Sequence, residues 1–190
     1  MPLYEYKKNA ENRIRLPKGM EKNIFCGSKE VLKSIVDKIT GVKNGLVLFD
    51  GWYGINWDKI ITQLKSELPD ALFFNAAGLF KPIEIIEKYR RPFVTDDPSF
   101  GWVNDKDIME DLMDEEKIAS FKQSVSKEER INILYGTGSA IKSLVSDAKL
   151  VYYFDFTMQP LLWQIWDGKL VPFGCNKVDK DYRWKEYLST

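Results

Sequence analysis

A strand, a glycine-containing turn and a helix start follow one another in the segment Leu46-Val47-Leu48-Phe49-Asp50-Gly51-Trp52-Tyr53-Gly54-Ile55-Asn56-Trp57-Asp58. The four apolar residues that begin this segment are continuous, as expected of a strand that is covered on both faces. Asn56 can cap the helix, and Asp58 lies in its first turn, where the helix dipole favours an anion. The segment therefore predicts one strand–turn–helix unit of an α/β fold.

The rest of the chain repeats this alternation of short apolar runs with segments of helical periodicity. Such a pattern is typical of a mainly parallel sheet that is covered by helices. We predict a three-layer α/β sandwich with a sheet of about five strands. The predicted strands are residues 46–50, 72–75, 131–135 and 150–155, with a weaker one at 92–95. The predicted helices are residues 29–40, 57–68, 82–89, 108–124, 139–145 and 158–166.

Composition and charge exclude several classes of function. The 190-residue chain has 28 basic and 28 acidic side chains and no histidine. Because nucleic-acid binding depends on a surplus of Lys and Arg, the net charge of zero gives no reason to expect a nucleic-acid partner. Without histidine, Ser-His-Asp or Cys-His catalysis and His-ligated zinc are impossible. Carboxylates, Lys, Arg, Tyr, backbone amides and a hard metal such as magnesium remain.

The sequence also indicates the domain organisation and the compartment. Residues 1–23 are predicted to be an N-terminal extension, and residues 24–190 a single α/β domain. The tail from Asn176 shows no stop signal, so we expect this domain to be the N-terminal part of a longer protein. There is no signal-peptide pattern and no apolar run near the ~18 residues of a spanning helix, so we expect a cytoplasmic protein without a membrane partner. Cys26 and Cys175 form no CxxC pair and are interpreted as buried or idle thiols in a reducing cytosol.

The turn after the first strand is the first candidate site, because ligands of open parallel sheets bind beyond the carboxyl ends of the strands. Gly51, Gly54 and Asn56 are candidate phosphate-binding residues, since a glycine-containing turn before a helix can bind phosphate through backbone N–H groups. The Walker lysine and hydroxyl are missing, however, because Trp57 and Asp58 stand where Lys and Ser or Thr would be. The alternative is a tight turn whose bulky aromatic side chains fill the pocket or face a partner.

Carboxylates make up the second candidate site. Asp96 and Asp97, followed by Pro98, are candidate catalytic residues that could accept a proton or bind magnesium. An Asx-turn that satisfies its own backbone would have the same sequence. Residues 105–116 are also acidic, and we interpret them as the solvated face of a helix rather than a metal site.

The turns after the two later strands are the third candidate site. Gly136 and Gly138 would let the backbone approach a ligand or a neighbouring helix, and Ser139 could cap that helix. Asp155 ends an apolar strand as a Walker-B-like acid does, and is a candidate magnesium ligand. It could equally be an N-cap residue.

Taken in order, these segments resemble the N-terminal region of bacterial proteins of the class I mannose-6-phosphate isomerase type. The resemblance covers about residues 20–190, and Thr95-Asp96-Asp97-Pro98-Ser99-Phe100-Gly101 is its most specific element. That region is similar in turn to uridine-kinase-like P-loop proteins, which implies a P-loop nucleoside-kinase-like fold with a degenerate Walker A turn. In such isomerases a downstream cupin domain carries zinc and the chemistry, so isomerisation is not expected in these residues.

The resemblance implies an accessory, non-catalytic P-loop-kinase-like domain in sugar-phosphate metabolism, with a downstream cupin domain and a phosphorylated small molecule as partners. Zinc would be held only by that downstream domain. The first alternative is an active nucleoside or sugar kinase that uses Mg²⁺ and ATP and recruits Lys142, Arg90 or Arg91 to neutralise phosphate. The second alternative is a scaffold or homo-oligomerisation module, because exposed aromatic residues mark interfaces.

Overall fold

The computed structural model describes residues 16–52, 54–96, 101–155 and 157–171. They belong to two compact units, residues 1–35 and 36–190. The first unit contains a 3-10 helix at Met20–Asn23 and the start of helix α1, Ser28–Thr40, which continues into the second unit. Cys26 is exposed, so this thiol is not buried, and the alternative that it is idle stays a prediction; Cys175 lies outside the described residues. The predicted boundary between residues 23 and 24 stays a prediction.

The second unit is built around a parallel sheet of four strands in the described residues, in the order β2-β3-β1-β4. The strands are β1 (Gly45–Gly51), β2 (Leu72–Asn75), β3 (Ile131–Tyr135) and β4 (Ala148–Phe154). The helices that follow α1 are α2 (Trp57–Glu67), α3 (Ile83–Arg90), α4 (Glu115–Ser126), α5 (Lys142–Val145) and α6 (Met158–Trp166). The α/β class, the parallel sheet and its four main strands are therefore confirmed.

Helices cover both faces of the sheet because the strand side chains alternate in direction. On one face, Leu48 and Leu134 belong to a buried cluster that includes Ile86 of α3, Phe121 of α4 and Leu144 of α5. Residues of the opposite face meet α2, where the ring centroid of Trp57 lies 6.1 Å from that of Tyr135 and 5.4 Å from that of Phe154. This arrangement is consistent with the predicted three layers.

Two of the predicted elements, the strand at residues 92–95 and the single helix at residues 108–124, are wrong. Residues 92–95 do not form a strand, because a 3-10 helix at Arg91–Phe93 contains Pro92 and only an isolated bridge joins Val94 to Gly101. The sheet thus has four strands rather than five in the described residues. Residues 108–124 are not one helix, since a 3-10 helix at Met109–Leu112 precedes α4.

The start of α4 has a local cause. The carboxylate of Asp114 accepts hydrogen bonds from the backbone N–H groups of Glu116 and Lys117, each at 3.1 Å. Such a cap satisfies donors that a helix leaves unpaired at its first turn. The capping carboxylate therefore makes the helix start at Glu115. Similarly, Asn56 caps α2 by accepting from Lys59 N at 3.0 Å, as predicted.

Tyr152 of β4 carries a buried hydroxyl that has no hydrogen-bond partner among the described residues. Burial also raises the pKa of Tyr152 above the ordinary tyrosine value of 10.0. An unsatisfied buried hydroxyl costs about 1–3 kcal/mol, so Tyr152→Phe is expected to preserve or raise the free energy of unfolding. Because the pKa of Tyr152 is higher in the folded state than in the unfolded state, the stability linked to its protonated form is fully present below pH 10. That stability is lost as the pH rises through the folded-state pKa. In urea unfolding, Tyr152→Phe should lose less free energy of unfolding than the wild type when the pH is raised from neutral to alkaline. A large loss of stability in the variant at neutral pH would contradict this expectation.

No helix in the described parts of the chain is both long enough and apolar enough to cross a membrane.

Candidate functional site

A cavity of about 470 Å³ lies at the carboxyl edge of the parallel sheet. The chain leaves β1 towards β2 and leaves β3 towards β4, so the connections after these two neighbouring strands run in opposite directions. This is the point at which open α/β sheets bind ligands, and the volume is that of an ordinary small-molecule site. Its wall consists of Asp50, Gly51, Trp52, Tyr89, Arg90, Phe93, Trp102, Asn104, Asp107, Ile108, Met109, Glu110, Leu112, Thr137, Gly138, Ala140, Ile141, Lys142 and Tyr153.

Asp50 joins the turns that follow β1 and β3. Its Oδ1 atom accepts hydrogen bonds from the backbone N–H of Gly51 at 2.8 Å and from that of Gly138 at 2.9 Å. The two donors are 87 positions apart in the numbering (138 − 51) and meet at one carboxylate oxygen. A negatively charged side chain therefore occupies the position where the amides of the two glycine turns converge.

The predicted phosphate-binding residues each have a local structural role. Gly51 ends β1 opposite Phe154 of β4, and an added Cβ would overlap the carbonyl oxygen of Phe154. Gly54 has a positive φ of 95°, and its carbonyl accepts from Gln164 Nε2 of α6 at 2.9 Å. Asn56 is the cap of α2. Of these three, only Gly51 lines the cavity, and phosphate binding by them stays a prediction.

The three candidate residues of the turn after β3, Gly136, Gly138 and Ser139, make different contacts. Gly138, at φ 80°, lies against Met113, Phe80 and Met109, whose side-chain atoms would be 3.0–3.2 Å from an added Cβ. The N–H of Gly136 donates to Phe49 O at 3.0 Å, and the N–H of Ser139 donates to Gly136 O at 3.1 Å.

The predicted capping role of Ser139 is wrong. Helix α5 begins only at Lys142, with Ile141 at the N-cap position, and Ser139 is fully buried three residues earlier. A tight turn thus intervenes between β3 and α5, because the backbone N–H of Ser139 bonds within it. The hydroxyl of Ser139 has no partner among the described residues and is not part of the cavity wall.

The structure does not bring the predicted acids into the described wall of the cavity. Asp96 and Asp155 are exposed and lie outside that wall, and Asp97 lies outside the described residues. Asp155 follows the last residue of β4 rather than ending the strand. Within the described ranges, no three acidic or cysteine side chains are grouped so that they could hold a metal ion. The catalytic and magnesium-binding roles stay predictions.

Two cationic side chains do enter the wall. Arg90 comes from the last turn of α3 and is half-buried, with its Nε and Nη2 atoms hidden from solvent. Lys142 is the first residue of α5. Arg91, the neighbouring arginine, is exposed and does not contribute to the wall. Arginine is always charged in proteins and matches the geometry of phosphate and carboxylate groups.

Aromatic rings form much of the remaining surface. They belong to Trp52, Tyr89, Phe93, Trp102 and Tyr153. Trp102 is 69% exposed, so its ring is available at the mouth of the cavity. Rings of this kind supply a large apolar contact area for a ligand.

The two tyrosines of the wall, Tyr89 and Tyr153, have raised pKa values. The pKa of Tyr89 is raised, first by burial and then by the neighbouring carboxylate of Asp107, and its buried hydroxyl has no hydrogen-bond partner among the described residues. The pKa of Tyr153 is also raised, by partial burial of a residue that remains 64% exposed and by the charges of Asp155 and Asp50. Both phenols therefore remain protonated donors at neutral pH.

The sequence indicated no role for Asp50, although this residue begins the first candidate turn, and did not indicate Tyr89 or Asn104 as parts of a site. Asp50 carries one signal that could have done so, since a carboxylate at the end of a continuous apolar strand, directly before glycine, is unusual. Tyr89 and Asn104 carry no such signal, because α3 and the loop after Gly101 reach the strand ends only through tertiary packing.

The fold and site define an α/β domain with a parallel sheet and a ligand-sized cavity at its carboxyl edge. The chain belongs to a family described as a domain of unknown function (DUF8485), whose model matches residues 27–187. No protein of curated function matches the chain.

Proposed function

We propose that this chain is a non-catalytic accessory domain that binds a small phosphorylated molecule. The observation that carries the proposal is the cavity itself, in which Arg90 and Lys142 lie together with five aromatic residues. The cavity is at the sheet edge where the connections after β1 and β3 run in opposite directions. The cations would neutralise the phosphate, and the rings would cover the apolar or planar part of the ligand. Three carboxylates of the wall, Asp50, Asp107 and Glu110, would accept hydrogen bonds from ligand hydroxyl or amine groups.

The absence of catalysis is supported by the turn after β1. Trp57 occupies the position of a Walker lysine, and its ring packs against Tyr135 and Phe154 on the sheet instead of reaching into the cavity wall. The domain would then be a degenerate relative of P-loop nucleoside kinases, cytoplasmic, in a protein of the mannose-6-phosphate isomerase type. Zinc and isomerase chemistry would lie in a downstream cupin domain, and the reading frame after Thr190 tests that part of the proposal.

Binding is tested by calorimetry with matched pairs of compounds, each a phosphate ester and its unphosphorylated parent. Suitable pairs are mannose 6-phosphate with mannose and uridine monophosphate with uridine. At least one phosphorylated compound should bind at least about tenfold more tightly than its parent, since a hydrogen bond to a charged group contributes about 1.5–3 kcal/mol. Equal or absent binding of both members in every pair would contradict the proposal.

Arg90→Gln is expected to weaken binding of the phosphorylated compound by about 10- to 100-fold, because the guanidinium contributes charge-assisted hydrogen bonds. The matched control is Arg91→Gln, which removes the same charge from an exposed position outside the wall. Calorimetric titration of the two variants should leave the affinity of Arg91→Gln within about twofold of the wild type, as expected for a screened surface charge. Equal losses in the two variants would argue for a general charge effect and against the cavity.

An active small-molecule kinase is the second candidate, and one observation favours it. Arg90 and Lys142 line the cavity, which is where this hypothesis needs phosphate-neutralising charge. Asp96 or Asp97 would be the general base and Asp155 would hold Mg²⁺, although Asp96 and Asp155 lie outside the described wall of the cavity. ATP turnover with nucleosides and hexoses as acceptors is the test, and turnover above background that is lost in Asp155→Ala would favour the kinase.

A scaffold function is the third candidate. Helix α6 exposes Trp163 by 60% and Trp166 by 70%, and these residues are three positions apart and therefore share a face. Exposed aromatic residues favour protein–protein contact. Light scattering that shows only monomer at high micromolar concentration would count against self-association.

A further inference from the structure

We infer that the two glycine turns form a built oxyanion site and that Asp50 keeps it filled. Two backbone N–H groups, one at the end of β1 and one in the turn after β3, point at one position, and the Asp50 Oδ1 atom lies there at 2.8 Å from Gly51 N and 2.9 Å from Gly138 N. Converging backbone N–H groups of this kind bind anions such as phosphate or sulfate. All three residues line the cavity, so a ligand in the cavity would lie next to this position.

Two other amides of the turn after β3 are used within the backbone. Gly136 N donates to Phe49 O, and Ser139 N donates to Gly136 O. At the start of α2, Lys59 N donates to the side chain of Asn56. Asp50 therefore acts as an internal substitute for an external oxyanion, held by charge-assisted hydrogen bonds.

Asp50 would thus determine specificity in the wild-type cavity. A phosphate group that approached Gly51 and Gly138 would meet a carboxylate, and two like charges ~4 Å apart repel. If the proposed function holds, the phosphate of the ligand is directed to Arg90 and Lys142 instead of to the strand ends. The oxyanion site itself does not depend on that function, because it is a property of the two amides.

The test removes the carboxylate and supplies an oxyanion. Asp50→Ala is compared with Asp50→Asn and the wild type by thermal unfolding in sodium sulfate and in sodium chloride at matched ionic strength. Sulfate should raise the unfolding temperature of Asp50→Ala by about 3–5 °C more than that of the wild type. This is the shift expected when the sulfate concentration is about ten times the Kd for the site. Asp50→Asn keeps an oxygen acceptor for both amides, so its response should equal that of the wild type.

The comparison with wild type removes the general stabilisation that sulfate gives to any protein. If Asp50→Ala is unfolded in chloride, recovery of its circular dichroism in sulfate supports the site. Asp50→Ser is a second variant that also lacks the carboxylate. Equal sulfate responses of the wild type and both of these variants, or no recovery in either, would overturn the inference. Neither result depends on whether the cavity binds a phosphorylated molecule.

Discussion

Gly51→Ala is expected to lower the free energy of unfolding by about 3 kcal/mol, the upper part of the range for overpacked interiors. Gly51 is buried at the end of β1 and pairs with Phe154 of β4. An added Cβ would overlap the carbonyl oxygen of Phe154 and lie 2.7 Å from Ile55 Cδ1. Because the first of these is backbone in a parallel sheet, it cannot move away without breaking the pairing of β1 with β4.

The matched control is Gly78→Ala in the 3-10 helix Ala76–Leu79, where an added Cβ meets nothing within 4 Å. Both substitutions add one methyl group, and only the first should be costly. Urea unfolding of the two variants gives the comparison. If Gly51→Ala were as stable as Gly78→Ala, the close approach of β1 and β4 would be wrong. Gly51 would then be better explained as a ligand-contacting glycine.

The sequence predicted the sheet well where the signals are local. The run Leu46-Val47-Leu48-Phe49 is continuous in apolar residues and is followed by a capping Asn56, so strand, turn and helix can all be identified within 13 residues. The observed bounds of β1 and α2 differ from the predicted ones by no more than one residue at either end. Burial of β1 between β3 and β4 explains why its polar residues are confined to its end.

The errors in secondary structure occur where a single polar residue or a proline interrupts a pattern of apolar residues. The apolar pattern continues through Met113 and Ile118, so it does not show that Asp114 uses its side chain to start a helix between them. Pro92 stands in an apolar run that resembles a strand, but its fixed φ suits the 3-10 turn that continues α3. In both cases one side chain outweighs the periodicity of its neighbours.

The sequence was sufficient to predict where the candidate site lies, but not which residues form most of its wall. The rule for parallel sheets places Gly51 and Gly138 at one edge, and both do line the cavity. The rest of the wall depends on Arg90 and on the loop from Trp102 to Glu110, which come from outside the sheet. Met113 and Phe80 of the core lie against Gly138 at this edge, and no local pattern encodes such contacts between distant segments.

Phe49→Ala should cost about 3–5 kcal/mol of unfolding free energy, the range for removing a fully buried phenylalanine. Phe49 is 0% exposed in β1, and its ring centroid lies 5.2 Å from those of Tyr152 and Phe154. Its backbone oxygen also accepts from Gly136 N, so the residue joins the core to the turn after β3. Truncation would leave a void on this face of the sheet beside Tyr152 and Phe154, because the close-packed interior relaxes only partly.

Phe93→Ala provides the contrast, since Phe93 is half-buried and lines the cavity instead of the core between sheet and helices. We expect this variant to lose less than about 1.5 kcal/mol of stability and to lose affinity for the phosphorylated ligand, because part of the aromatic wall is gone. Urea unfolding and calorimetric titration of both variants separate the two roles. Similar stability losses with unchanged affinity would mean that Phe93 belongs to the core and that the cavity wall is not a binding surface. A stable, weakly binding Phe93→Ala beside an unstable Phe49→Ala would show that the sheet holds the site in place while the residues above the strand ends do the binding.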